Sequence, residues 1–112
     1  MEQHVDDLRI KRCKPCESGM LPLADDDVAR YLASLPGWAR SGNEIVRTYS
    51  FKNYYQTVSF VNAVAWMAHR EDHHPEITFG YKVCTIHYST HSIGGLSEND
   101  FICASKADAL LG

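Results

Sequence analysis

The chain has 112 residues, with 45% apolar and 22% charged side chains and a formal net charge of -3 at pH 7. This length suits a single domain with a modest core, and without a block of five or more like charges the chain has no footprint for nucleic acid or for a polybasic membrane anchor. No apolar run approaches the roughly 18 residues of a membrane span, and the opening MEQHVDDLRIKR lacks the apolar stretch of a signal peptide, so a cytoplasmic location and reduced thiols at all four cysteines are expected.

Residues 1–20 hold few large apolar side chains and read as an irregular arm, with the basic run RIKRCK at 9–14 as a solvated tail; residues 21–112 read as one domain. In PLADDDVARYLASLPGW (22–38), three aspartates suit the positive end of a helix dipole. Val28, Tyr31, Leu32 and Leu35 recur at helical spacing, and Pro36-Gly37 ends the helix. The period changes in WARSGNEIVRTYSF (38–51), where Gly42-Asn43 turns between two short extended pieces and predicts a hairpin. A long helix is predicted from about Asn53 to Glu71, burying Val58, Val61, Val64, Ala65 and Ala68, with Phe60 and Met67 widening the stripe. Pro75 forbids its continuation, because the residue before a proline is pushed out of the helical region. Two extended pieces follow, EITFGY (76–81) and KVCTIHYST (82–90); in the second, Cys84, Ile86 and Tyr88 share one face and Thr85, His87 and Ser89 the other. The last helix opens at Ser97 with Asp100 three residues on, a variant of the capping box, and should bury Phe101, Ala104, Ala107, Leu110 and Leu111. The expected fold is α+β in two layers: a four-stranded antiparallel sheet with three helices on one face, in the order α-β-β-α-β-β-α. The other sheet face is left open for association or a ligand.

The histidines are concentrated in HREDHHPEITFGY (69–81), with His91 just after the fourth strand. Imidazole is the side chain whose ordinary pKa lets it exchange protons near pH 7. Three of the six have an ordinary reading: His4 exposed in the arm, His87 on the open sheet face, His69 at a solvent-facing helix end. His73 and His74 stand where a helix stops and a strand begins, a common location for functional groups, and a hairpin of the third and fourth strands can bring His91 to the same sheet edge. Metal patterns are incomplete. His69-x-x-x-His73 has Arg70 where a zinc hydrolase needs glutamate. Cys13-Lys-Pro-Cys16 has the spacing of half a zinc knuckle, without a second CxxC to complete it. Cys84 and Cys103 fall on apolar faces and read as small core residues.

The combination of HHP at 73–75, Tyr81, STH ending at His91 and GGLSENDF at 94–101 resembles the pterin-4a-carbinolamine dehydratase family, as does LPGW at 35–38. The resemblance runs from about Leu23 onward, and CKPCE at 13–17 is similar to the arm of some bacterial members. It implies the same fold, assembled into homodimers or homotetramers, and a hydro-lyase reaction without cofactor, metal or nucleotide. The substrate is a small-molecule pterin: 4a-hydroxytetrahydropterin loses water to give quinonoid dihydropterin, in recycling of the tetrahydropterin used by aromatic amino acid hydroxylases. The family's active-site histidines match His73, His74 and His91. Positions expected to touch the pterin match Asp72, Ser89, Thr90 and Ser92, and Asp100 matches a supporting carboxylate. Two departures are His69, where glutamate is frequent, and Phe101, where some members have tryptophan.

The chemistry explains the imidazoles. Hydroxide leaves poorly, so an acid must protonate the 4a-oxygen while the neighbouring ring nitrogen pushes in electrons, and a base then deprotonates the cation. His73 and His91 are the expected proton-transfer groups, and His74 the positioning one. The alternative is a catalytically silent, dehydratase-like binding or assembly module, as in family members that serve as assembly factors or transcriptional dimerisation cofactors; loss of the histidine set would accompany it, yet all three are present. A third reading is a zinc protein using the arm cysteines with His4 or His69.

Overall fold

The computed structural model describes residues 5–16 and 19–111. They form a 3-10 helix at Val5–Ile10, α1 at Asp25–Ala33, the hairpin β1 (Ala39–Ser41) and β2 (Glu44–Ser50), α2 at Tyr54–Glu71, β3 (Glu76–Phe79), β4 (Val83–Tyr88), a short 3-10 turn at His91–Ile93, and α3 at Glu98–Ala109. The sheet is antiparallel throughout, in the order β1-β2-β4-β3: each hairpin pairs its own two strands, and β2 joins β4 between them. Ile45, Tyr49, Cys84, Ile86 and Tyr88 are buried on one face, under the helices. The opposite face carries Val46, Thr48, Thr78, Thr85 and His87, which are half-buried or exposed.

α1 is shorter than the sequence predicts. Beyond Ala33 the chain tightens into three-residue turns, with Leu35 N–H donating to Leu32 O (3.0 Å) and Trp38 N–H to Leu35 O (3.1 Å). These let Pro36 and Gly37 follow without breaking hydrogen bonds and still bury Leu35 and Trp38. Gly37 sits at φ +106, a conformation that favours glycine, and any Cβ there would stand 2.8 Å from the Arg47 guanidinium and displace it.

α2 begins at Asn53, whose side chain accepts the Gln56 N–H (2.9 Å). Its buried residues are Thr57, Phe60, Val64, Met67 and Ala68, whereas Val58 and Val61 are half-buried and Ala65 is exposed. The apolar stripe is therefore rotated from the expected one. Phe60 packs against Tyr49 (centroids 4.6 Å) and Phe51 (5.2 Å) of the sheet side and sets the helix's orientation. Thr57 can occupy the inner face because its hydroxyl reaches backbone carbonyls, Asn53 O at 3.0 Å and Tyr81 O at 3.1 Å.

α3 is buried on more of its circumference than one stripe, from Asn99 through Ala104 and again at Ala107. The N-terminal segment accounts for this. The basic run at 9–14 is exposed apart from half-buried Cys13, but the segment is docked rather than loose: Leu8 is 1% exposed and joins the core, and Lys106 Nζ donates to Arg9 O (2.8 Å) across α3. The irregular arm expected for residues 1–20 thus contains a 3-10 helix that covers the outer side of α3 over its described part. Leu110 and Leu111, expected in the core, are exposed because α3 ends at Ala109, before them.

Candidate active site

The end of α2 is built by local chain geometry. Asp72 takes the left-handed conformation (φ 54), its N–H donating to His69 O (3.2 Å) while His73 N–H donates to Ala68 O (3.1 Å). This is the paired bonding of a Schellman turn, and aspartate is one of the few side chains that tolerates it. The turn points the chain from the helix into β3 with His73 and His74 at the bend.

His73 is the anchored histidine. Its Nε2 lies 2.6 Å from Oδ1 of Asp100, and the carboxylate side chain is fully buried. Oδ2 of Asp100 accepts from the Thr90 hydroxyl (2.8 Å) and from the Ser97 N–H (2.9 Å), the latter completing the capping box of α3. The Thr90 oxygen also contacts Ser97 Oγ (2.7 Å). The His73 ring stacks on Tyr88 (centroids 5.4 Å, 13° between planes), and the Tyr88 hydroxyl donates to His73 O (3.3 Å). Burial works against charge on His73, but the hydrogen bond to Asp100 and that carboxylate's charge outweigh it and raise the imidazole pKa above its ordinary value. With Nε2 committed to Asp100, Nδ1 is the nitrogen left for a further partner.

A hollow of about 600 Å³ opens here. His73, His74 and Asp72 line it from the end of α2, and Ser89, Thr90, His91 and Ser92 from the end of β4. Every residue that the sequence nominates as catalytic or substrate-binding is thus on one hollow, with Asp100 behind His73. Besides His73, two of them are already engaged: the Thr90 hydroxyl with Asp100, and the Ser92 hydroxyl, which donates to Cys16 O (2.9 Å). His74, Ser89 and His91 also line a smaller adjoining hollow of about 230 Å³, together with Glu44, Glu76 and His87. His87 bonds Glu44 through Nδ1 (3.0 Å) on the open sheet face. His69 lies against Trp66 (centroids 5.3 Å) and is exposed. His4 lies outside the described residues.

The opposite wall of the hollow is the arm, which sequence reasoning missed as part of the site. Arg12, Cys13, Lys14, Pro15 and Cys16 line it. Asn99 grips Lys14 with both ends of its amide, Oδ1 accepting the Lys14 N–H (3.0 Å) and Nδ2 donating to Lys14 O (2.6 Å). Glu71 accepts the Cys13 N–H (2.8 Å) and pairs with Arg12 (3.1 Å) and Lys106 (3.5 Å). Burial opposes the Glu71 charge, but the Cys13 N–H and the two cations hold its pKa below the usual carboxylate range. Similarity of CKPCE to other arms was the one signal available. Asn99 and Glu71 carried none, because their partners are remote in sequence.

Among the described residues, no three His, Cys, Asp or Glu groups cluster as metal ligands. Cys13 faces Cys103 instead (Sγ–Sγ 3.5 Å), and Cys16 accepts from Asn99 Nδ2 (3.3 Å). The hydrogen bond between the two thiols raises the Cys13 pKa, aided by burial, and lowers that of Cys103 against its own desolvation.

Comparison with known proteins bears on this hollow. Residues 21–110 match the family model described as pterin 4 alpha carbinolamine dehydratase. A protein of Nitrosospira multiformis named "Putative pterin-4-alpha-carbinolamine dehydratase" is 57% identical over 110 residues, covering 98% of this chain and 97% of its own. One of the same name from Nitrosomonas eutropha is 56% identical over 109 residues, 96% of each chain. The fold is similar to the crystal structure of a transcriptional coactivator/pterin dehydratase from Brucella melitensis, with a TM-score of 0.78 and 30% identity over 81% of this chain and 99% of that one. A pterin dehydratase-like protein described as a RuBisCO assembly factor in the alpha-carboxysome aligns at a TM-score of 0.56 and 26% identity, over 67% of this chain and 87% of that one.

Proposed function

The chain belongs to the pterin 4 alpha carbinolamine dehydratase family, and from that premise we propose that it is a hydro-lyase converting a 4a-hydroxytetrahydropterin to quinonoid dihydropterin by histidine general acid–base catalysis. The observation that carries this reading is the His73–Asp100 pair on a hollow that His74 and His91 also line. A paired carboxylate favours the protonated ring, which suits His73 to the acid role. With Asp100 occupying Nε2, Nδ1 delivers a proton to the departing 4a-hydroxyl. The C–O bond breaks as the adjacent ring nitrogen donates its electron pair, water leaves, and His91 takes the proton lost by the pterin cation. His74, between them in the chain, positions the heterocycle.

The expected experiment follows chemically prepared 4a-carbinolamine by its absorbance. His73→Gln and His91→Gln should each slow dehydration by about 10²–10⁴-fold, the usual contribution of a general acid or base, while circular dichroism stays native. Full rates in both variants would overturn the assignment. The physiological setting we propose is regeneration of a tetrahydropterin cofactor, by a homodimer or homotetramer formed through the open sheet face, with light scattering as the test of assembly.

A non-enzymatic assembly role draws on the two structural relatives, one described as a coactivator and the other as an assembly factor. Calorimetric titration with a dihydropterin separates the readings, because a pure scaffold has no reason to bind it. The intact histidine set favours the enzyme.

A further inference from the structure

We propose that Cys13 and Cys103 form a peroxide-oxidisable dithiol, whose disulfide would lock the arm to α3 as a fixed wall of the hollow. The two sulfurs are 3.5 Å apart, and a disulfide needs about 2.05 Å. The gap is of the order of a side-chain rotation rather than a rearrangement of elements. The partners come from opposite ends of the chain, 90 residues apart, so their approach is a product of the fold and not of a local turn. Cys103 is fully buried within the core, whereas Cys13 is half-buried and lines the hollow. An oxidant entering the hollow therefore meets Cys13 first.

The chemistry balances with a peroxide as the oxidant. One sulfur of the pair, as its thiolate, attacks the O–O bond, which breaks to leave a sulfenic acid on that cysteine and one molecule of water or alcohol. The other sulfur then attacks the sulfenic sulfur, forming the S–S bond and releasing the hydroxyl oxygen as water. The two sulfurs lose one electron each, the peroxide gains two, and the two thiol protons end in the products. A third thiol, Cys16, stands on the same wall but is turned toward Asn99 Nδ2 (3.3 Å) and the Lys14 carbonyl (3.8 Å). The arm backbone is already clamped on both sides of Cys13, by Glu71 at its own N–H and by Asn99 at Lys14. Oxidation would thus make covalent, until reduced, a contact that hydrogen bonds now hold. An ordinary thiol pair in a packed core gives the same distance, so the distinction must be made by reactivity.

The test uses the full chain and does not depend on the pterin reading. Reduced protein is treated with hydrogen peroxide, its remaining thiols are alkylated, and the digest is analysed by mass spectrometry. The expected result is a cross-linked peptide joining Cys13 to Cys103, with the loss of two hydrogens, regenerated by dithiothreitol. The same link should form in Cys16→Ser. Hydrogen exchange of residues 12–16 should slow on oxidation and recover on reduction. Four alkylatable thiols after treatment, a Cys13–Cys16 link alone, or over-oxidation of Cys13 with Cys103 still reduced would each overturn the proposal.

Discussion

His73 is charged or neutral according to what Asp100 does at its Nε2, and that dependence can be measured. Asp100→Asn keeps the shape of the side chain and removes its charge, leaving burial of His73 opposed only by the smaller effects of Cys103 and Asp72. The His73 pKa should therefore fall from its raised value. If His73 supplies the acid, the high-pH limb of the dehydration profile moves to lower pH in the variant, together with the imidazole NMR titration. The sign for stability follows from the same shift. A histidine whose folded pKa is raised stabilises fully below its unfolded value of about 6.5, and that contribution is lost as pH rises through the folded value. Asp100→Asn should flatten this dependence of the melting temperature. It should also melt earlier at every pH, because the Thr90 hydroxyl and the Ser97 N–H lose the ionised acceptor they share.

At the scale of elements, two junctions position the site. In the Schellman turn at the end of α2, Asp72 contributes a backbone conformation and a carboxylate on the hollow, and substitutions can separate them. Asp72→Gly keeps the turn, so stability should be near native and any loss of rate reports on the carboxylate. Asp72→Val should cost about 1–2 kcal/mol from the left-handed conformation, seen as a lower melting temperature. The second junction is the arm, clamped by Glu71. Its carboxyl has a depressed pKa, so its contribution is present above the unfolded carboxylate value of about 4.3 and is lost as pH falls through the lower folded value. Hydrogen exchange or limited proteolysis should accordingly show the Arg12–Cys16 segment released in acid before the sheet unfolds. In Glu71→Gln, which retains an acceptor without the charge, release should already be evident near neutral pH.

Across the whole molecule, α3 carries an aspartate near each end. Asp100 serves the hollow. Asp108 takes hydrogen bonds from Trp38 Nε1 (3.1 Å), Arg47 Nη1 (3.0 Å) and the Tyr49 hydroxyl, and the Arg47 guanidinium lies over the Tyr49 ring (4.6 Å). Burial, followed by the bond to Asp108, pushes the Tyr49 pKa up, so the phenol remains a donor. Asp108 does not line the hollow. Asp108→Asn should cost about 1–3 kcal/mol by weakening three charge-assisted bonds, lowering the melting temperature while leaving the dehydration rate of the folded protein unchanged. A rate loss matching that of Asp100→Asn would show that the two ends of α3 are coupled.

The elements and the sheet were legible in the chain because their causes are local. Alternation in 82–90 marks a strand with one buried face, Gly42-Asn43 marks a hairpin, and Pro75 stops a helix at two histidines. Those signals, with the HHP and STH patterns, also nominated the residues of one wall of the hollow. Local sequence could not orient α2, whose inner face follows Phe60 onto the aromatic residues of the sheet side rather than the densest run of valines. Nor could it reveal the other wall. The arm is held by Glu71, Asn99 and Cys103, between 58 and 90 residues away, and its backbone bonds leave no hydrophobic period to read. The His73–Asp100 pairing spans 27 residues and two elements. The sequence by itself determined which imidazoles are available and where the chain must bend, since propensity and periodicity act over a few residues. Tertiary structure alone decided which carboxylate holds which ring and what closes the hollow, because those contacts depend on how whole elements pack.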